Sequence, residues 1–326
     1  MFRRIPLEPH NMTDAVTRVE DTIVLCHLGV PRISVADWAL SISGLIRKPC
    51  VLRFEDLLAR PQTRLEAVHQ CAGNPLQPDA PSRRVCNVVW SGVRLIDLIS
   101  DCEPQPEAKF VWSRGADYGT FDGVHCETYL KDIPLARLEE DVLIALEMNG
   151  APLRAENGFP ARLVVPGYYG TSSVKWITNI ELTDRRASGP FVTRWYNDVV
   201  RDHEGNPTGE TTPVWSIAPQ SVIVHPAPDA VLSNGAEVKV WGWVWGDDGI
   251  NAMEISTDGG LDWRMAVLES SKNRAWQRYS LSWTPNYTGE HHILARATGY
   301  RGSMQPLHGA RNAVHCIRVI VVPTHR

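Results

Sequence analysis

Residues 236–249 read AEVKVWGWVWGDDG. Apolar and polar or small residues alternate along this stretch until a Gly-Asp-Asp-Gly turn stops it, which is the period-two pattern of a half-buried strand. Downstream, NAMEISTDGGLDWRMAVL (251–268) reads as two strands around Asp258-Gly259-Gly260, and WQRYSLSWTP (276–285) and HHILARATG (291–299) supply more. Seven of the twelve tryptophans fall between Trp215 and Trp283, an aromatic density that suits strands rather than loops. Short strands cut by turn signals predict an immunoglobulin-like β-sandwich over 206–326.

Upstream the texture differs. RFEDLLAR (53–60), RLIDLIS (94–100) and PLARLEEDVLIALEMNG (134–150) carry helical or buried-strand spacing, punctuated by Pro and Gly. The expected fold class is α+β: a mixed α/β domain over 1–205, then the all-β sandwich. The turn-rich DHEGNPTGETTP (202–213) is expected to link them. No internal repeat breaks this division.

A net charge of −4 and a pI near 6.3 argue against general affinity for nucleic acid or for anionic membrane. Small molecules or proteins are the expected partners. The first residues, MFRRIPLEPHNMTDAV, have two arginines and no apolar run behind them, so the expected location is cytoplasmic. Seven cysteines, an odd number and without a CxxC pair, support neither a disulfide framework nor a zinc ribbon.

Three segments carry chemistry that packing alone does not explain. In VHQCAGN (68–74) a thiol, Cys71, precedes a tight turn, where it is either a buried structural cysteine or a nucleophile or soft-metal ligand. In NGFPARLVVPGYYGTSSVKW (157–176), Arg162 and Lys175 flank a loop rich in backbone and hydroxyl donors, either a cradle for a polyanion or two solvated cations. In GPFVTRWYND (189–198), Tyr196 is either a surface aromatic or a proton donor.

Taken together, these segments and CHLGVPRISVADWALSISGLI (26–46), VVWSGVRLIDLI (88–99), EMNGAPLRAENGFPARLVVPGYYGTSSVKW (147–176) and STDGGLDW (256–263) resemble the sulfite oxidase family of molybdopterin-dependent oxidoreductases. The resemblance implies the family's molybdopterin-binding fold for the first domain and a dimerisation role for the sandwich. It implies a molybdenum ion on a pyranopterin dithiolene, with Cys71 as the metal's single protein ligand, a soft anionic sulfur beside the dithiolene. Cys26, His27, Asn157, Arg162, Ser173, Val174 and Lys175 would hold the pterin and its phosphate, and Tyr196 would lie beside the metal as a catalytic hydroxyl.

The departures bear on substrate. Where the family places pocket arginines, this chain has Leu25, Pro75-Leu76 and the region of Leu307 and His308, and Glu156-Asn157-Gly158 replaces an Asp-His-Gly pattern. The expected activity is therefore two-electron oxygen-atom transfer on a small-molecule substrate other than sulfite. The alternatives are sulfite oxidation with a different anion-binding set, through Arg83, Arg84 or His69, and a non-catalytic dimeric binding protein. A cysteine hydrolase built on Cys71 and His69 lacks an orienting third group. With no CxxCH haem attachment, electrons are expected to leave through a separate cytochrome or similar carrier.

Overall fold

In a computed structural model the chain is described at residues 2–4, 7–74, 83–139, 141–272 and 274–324. It divides into two compact units. The first comprises Met1–Ile5, Ile23–Leu65 and Val89–Trp215, and the second Pro6–Thr22, Glu66–Val88 and Ser216–Arg326. The chain thus enters the second unit twice before it stays there. The border expected at 205/206 falls inside a hairpin of strands Asn197–Arg201 and Pro207–Pro213, which pair Asn197 with Pro213 and Val199 with Thr211 in the first unit. The stretch expected as a linker is the turn and return strand of that hairpin. Residues 207–212 are exposed on both faces, so no alternation announced the strand; backbone pairing makes it.

The first unit is built on a mixed five-stranded sheet in the order Leu130–Pro134, Phe110–Gly115, Ile177–Thr183, Ala39–Gly44, Cys50–Arg53. Ile177–Thr183 runs parallel to Ala39–Gly44 and the other neighbours are antiparallel. ALSISG alternates as a one-face strand must, sending Leu40 and Ile42 inward. Helix Leu95–Asp101 buries Leu95, Leu98 and Ile99, at i, i+3 and i+4, and the Arg94–Asp97 pair sits on its first turn. These side chains join Ile144, Leu163, Val174, Ile177 and Ile180 in one core. Among the described residues of 134–150 are a 3-10 turn, Leu135–Arg137, and a buried strand, Leu143–Met148, so the buried-strand reading of that stretch holds. Helices are few and short, and strands dominate both units.

The second unit is the predicted sandwich. One sheet runs Gln220–His225, Val238–Trp245, Gln277–Trp283, Val267–Leu268, and the other Val231–Ser233, His315–Val322, Gly289–Gly299, Ile250–Ser256, Arg264–Met265. Ile223, Val240, Val244, Ile255, Tyr279, Ile293 and Val319 fill the space between them. The early segments of the chain cover its tryptophans. Trp243 Nε1 donates to Met12 O at 2.6 Å and Trp276 Nε1 to Ala15 O at 2.8 Å, with the two indoles stacked at 5.0 Å. Trp245 Nε1 donates to Gln70 Oε1, whose Nε2 donates to Gln220 Oε1, both at 2.6 Å.

Candidate active site

The expected site residues other than Cys71 all lie in the first unit: Cys26, His27, Asn157, Arg162, Ser173, Val174, Lys175 and Tyr196. Most of them form one network, and its geometry follows from a few backbone decisions. Gly158 takes φ +109°, which only glycine adopts at no cost, and a Cβ there would lie 3.0 Å from Arg162 Cβ and 3.1 Å from Lys175 Cβ. That close approach turns both cations toward the 155–158 turn. Arg162, 3% exposed, donates from Nη1 to Asn157 O (3.0 Å) and from Nη2 to Ser173 O (2.9 Å), with its guanidinium 5.0 Å over Trp90. Lys175 Nζ donates to Leu25 O (2.7 Å), Cys26 Sγ (2.9 Å) and Glu156 O (3.2 Å).

Carbonyl oxygens accept most of the hydrogen bonds that hold these two buried cations. Burial pulls the Lys175 ammonium below its ordinary range, opposed mainly by the Cys26 sulfur, and the neighbouring Arg162 charge lowers it further. Burial also raises the Asp117 carboxyl to about 6 against the pull of Lys175. Around these charges, side-chain polar atoms are left over. Asn157 Oδ1, Ser172 Oγ, Asp117 Oδ1 and His27 Nδ1 are buried with no hydrogen-bond partner. Ser173, the expected contact, is committed: its Oγ accepts from Val165 N–H at 3.0 Å. Val174 contributes a side chain to the core and a carbonyl that accepts from Leu163 N–H.

Tyr196 lies at the other end of the His27 ring. Tyr196 Oη and His27 Nε2 are 2.6 Å apart, and Phe121, Phe191 and Tyr129 crowd the imidazole with ring centroids at 4.5, 5.8 and 6.5 Å. This aromatic wall, with Lys175 beyond it, holds the His27 pKa down at about 4, with burial the larger cause. The ring is neutral at pH 7, so the Tyr196–His27 hydrogen bond runs in either direction: the phenol donates to Nε2, or Nε2–H donates to the phenol oxygen. Tyr196 has φ +63°, an unusual value for a residue with a Cβ and one that costs on the order of 1–2 kcal/mol. Pattern reading missed Lys131 beneath it. The Lys131 ammonium sits 5.3 Å over the Tyr196 ring and donates to Phe191 O at 2.8 Å, and burial lowers its pKa to about 8. A lysine at an inward position of strand Leu130–Pro134 is the one signal that could have found it.

Cys71 belongs to the second unit, directly after strand Thr63–Gln70. Its N–H donates to Arg84 O and its carbonyl accepts from Asn74 N–H, closing the turn over Ala72-Gly73. Gly73 N–H donates to Cys71 Sγ at 3.3 Å. Burial pushes the thiol pKa up, while the Gly73 N–H, the Arg84 guanidinium and Arg311 pull it down. Arg84 was one of three residues expected to compensate for missing arginines, and Arg311 was not foreseen, because it lies in an irregular segment without pattern. Asn74 Nδ2 is buried here without a partner. Leu25 is half-buried, its carbonyl used by Lys175, and Pro75 and Leu76 lie outside the described residues.

These features fit an anionic, polar cofactor. In the first unit, Asn157 Oδ1, Ser172 Oγ and His27 Nδ1 keep unspent hydrogen-bonding capacity beside two buried cations; in the second, the Gly73 N–H and the charges of Arg84 and Arg311 act on the Cys71 sulfur in the direction that favours a thiolate, the form that binds a soft metal, against its burial. Among the described residues no cluster of three or more His, Cys, Asp or Glu could hold a metal by itself.

Comparison with known proteins points the same way. Residues 27–191 match the family model for the oxidoreductase molybdopterin binding domain, and 211–320 that for the Mo-co oxidoreductase dimerisation domain. The mitochondrial sulfite oxidase of Mus musculus is 29% identical over 91% of this chain and 60% of that protein. The NADPH nitrate reductase of Aspergillus niger is 28% identical over 84% of this chain and 36% of its own length. The sulfane dehydrogenase SoxCD of Paracoccus pantotrophus superposes with a TM-score of 0.80 at 28% identity, covering 94% of this chain and 80% of that one. The chain spans about 60% of the length of the mitochondrial relatives it matches.

Proposed function

Because this chain belongs to the sulfite oxidase family of molybdopterin-binding oxidoreductases, we propose that it catalyses two-electron oxygen-atom transfer on a small sulfur- or nitrogen-centred substrate less charged than sulfite. The observation that carries this reading is the first-unit network: buried Arg162 and Lys175 set among carbonyls, with Asn157 Oδ1, Ser172 Oγ and His27 Nδ1 left over. When bound, the molybdenum pterin supplies the two-electron redox change coupled to exchange of oxygen between water and substrate.

The chain's residues do the rest. Cys71 would hold the metal through its thiolate, favoured by the Gly73 N–H, Arg84 and Arg311. Arg162 and Lys175 would balance the cofactor's negative charge, and Asn157 and Ser172 would hydrogen-bond its polar edge. Tyr196 presents a hydroxyl whose proton is shared with His27 Nε2 at 2.6 Å. The pair passes one proton without either group carrying charge for long, and Lys131 over the phenol ring stabilises the oxygen when negative charge develops there. Electrons then pass to a separate electron-transfer protein, and two copies of the chain pair through the second unit, a reading supported by its match to a dimerisation domain.

The substrate assignment rests on Leu25 standing where an anion-binding arginine would be expected. Each charge-assisted hydrogen bond is worth about 1.5–3 kcal/mol, so two missing arginines weaken capture of a dianion by about 10²–10⁴-fold. Sulfite itself is the second reading, favoured by Arg84 and Arg311 beside Cys71. Steady-state assays comparing sulfite with neutral S-oxides and N-oxides separate the two: fast turnover of sulfite at micromolar concentration would discard the first. Metal analysis tests the chemistry that both share. Protein made in a molybdopterin-competent host should carry about one molybdenum per chain, and Cys71→Ser should lose metal and activity together.

A further inference from the structure

Two thiols outside the proposed site lie against each other. Cys50 opens the edge strand Cys50–Arg53 of the first unit's sheet, and Cys102 caps helix Leu95–Asp101 at its C-terminal end. Their Sγ atoms are 3.4 Å apart, and both cysteines are free. Chance side-chain proximity does not account for this, because the backbones beneath them are tied together. Arg47 and Lys48 both donate N–H to Cys102 O, at 3.1 and 3.0 Å, and Arg47 N–H is shared with Glu103 O. Ile46 bridges Pro104, Gln105 N–H donates to Leu45 O at 2.9 Å, and Lys48 pairs with Glu103 at 2.6 Å.

We infer that Cys50 and Cys102 are an oxidisable pair that closes to a disulfide by exchange with a small-molecule disulfide of the glutathione class. A disulfide needs its sulfurs at about 2.05 Å, so each must move by about 0.7 Å, within reach of side-chain rotation while the backbone stays braced. Half-buried Cys50 is the entry point, and Cys102, 2% exposed, resolves. The Cys50 thiolate attacks the small disulfide, forming a mixed disulfide and releasing one small thiolate. Cys102 then loses its proton to that base and attacks the Cys50 sulfur, expelling the second small thiol. Two protein thiols and one disulfide become one protein disulfide and two small thiols, with no electrons unaccounted for.

The surroundings set the rate of this exchange rather than its outcome. Burial is the larger cause that raises the Cys102 pKa, to about 12 while Cys50 is a thiol; in the mixed disulfide the Cys50 contribution is gone and burial alone slows resolution at pH 7, less so in mildly alkaline buffer. Arg60, which pairs with Asp101 at 2.6 Å, opposes that rise.

Intact mass and peptide mapping of the full, folded chain decide the matter, in a Cys316→Ser background that removes the exposed thiol. After incubation with oxidised glutathione at pH 8, the expected result is loss of two hydrogens and a cross-linked pair of peptides containing Cys50 and Cys102. Cys50→Ser should abolish the cross-link, whereas Cys102→Ser should leave a stable glutathione adduct on Cys50. A persistent adduct on Cys50 in the chain with both cysteines, a cross-link elsewhere, or no reaction at either position in the native protein would overturn the inference.

Discussion

The interior of the sandwich and the network around Arg162 are both buried and both polar, yet they treat their polar atoms in opposite ways. Inside the sandwich, Gln305 Oε1 accepts from Ser221 Oγ at 2.8 Å and from Ala297 N–H at 2.9 Å, and its Nε2 donates to Asn312 O at 3.0 Å. His315 Nδ1 accepts from Ile223 N–H at 2.9 Å. Around Arg162, by contrast, Asn157 Oδ1, Ser172 Oγ and His27 Nδ1 find nothing. A buried group with its partners supports the fold, whereas one left over keeps hydrogen-bonding capacity; Asn234 Oδ1 and Arg278 Nε of the second unit are left over as well, so it is the clustering around Arg162 that sets the network apart. Burial alone therefore does not mark a site. His27 and His315 make the point, since burial depresses both, to about 4 and about 3, and only His27 keeps an unspent nitrogen.

The contrast breaks most visibly at Gln305. Gln305→Leu strands the Ala297 N–H and the Asn312 carbonyl and leaves the Ser221 hydroxyl with Ala295 O, so chemical denaturation should show a loss of about 3 kcal/mol. Molybdenum per folded chain should be unchanged. Tyr196→Phe is the counterpart: it deletes one hydroxyl that meets His27 Nε2, and turnover should fall by about 10²-fold with a stability loss of about 1 kcal/mol, well below that at Gln305. A variant whose stability and rate fell together would blur the distinction.

Acid comes next in size. Above pH 6.5 the His315 imidazole is neutral in both states; below it the unfolded chain takes up a proton that the folded chain refuses until about pH 3. Stability is thus fully present above pH 6.5 and is lost as pH falls, at up to about 1.4 kcal/mol per pH unit for this group. Arg83 and His10 add to the refusal, after burial. His315→Asn should flatten that slope when stability is measured between pH 4.5 and 7. The smallest effect is expected at Asn157. Removing an acceptor that accepts nothing, Asn157→Ala should shift stability by no more than about 1 kcal/mol, while cofactor content falls.

Much of this was legible in the chain itself. Strand Val238–Trp245 was visible because it alternates, and helix Leu95–Asp101 because Leu95, Leu98 and Ile99 repeat at helical spacing. The site residues became legible through the resemblance, since His27, Arg162 and Tyr196 have no local pattern of their own. The strand Pro207–Pro213 stayed hidden because neither of its faces is apolar. Arg311 and Lys131 stayed hidden for another reason: their importance lies in which atoms they approach across long stretches of chain, and no local window contains that. The same holds for Pro6–Thr22 and Glu66–Val88, which are tied to the rest of the second unit by long-range hydrogen bonds such as those of Met12, Ala15 and Gln70.

That membership has a consequence for the order in which the molecule takes shape during synthesis. Met12, Ala15 and Gln70 leave the ribosome long before Trp243, Trp245 and Trp276, the indoles to which they are bonded. The segments carrying these early acceptors wait for the strands of residues 238–283 before their hydrogen bonds can form. A fragment cut at 206 would carry the three indole N–H groups without their acceptors, so the sandwich depends on residues 12, 15 and 70 for its covering.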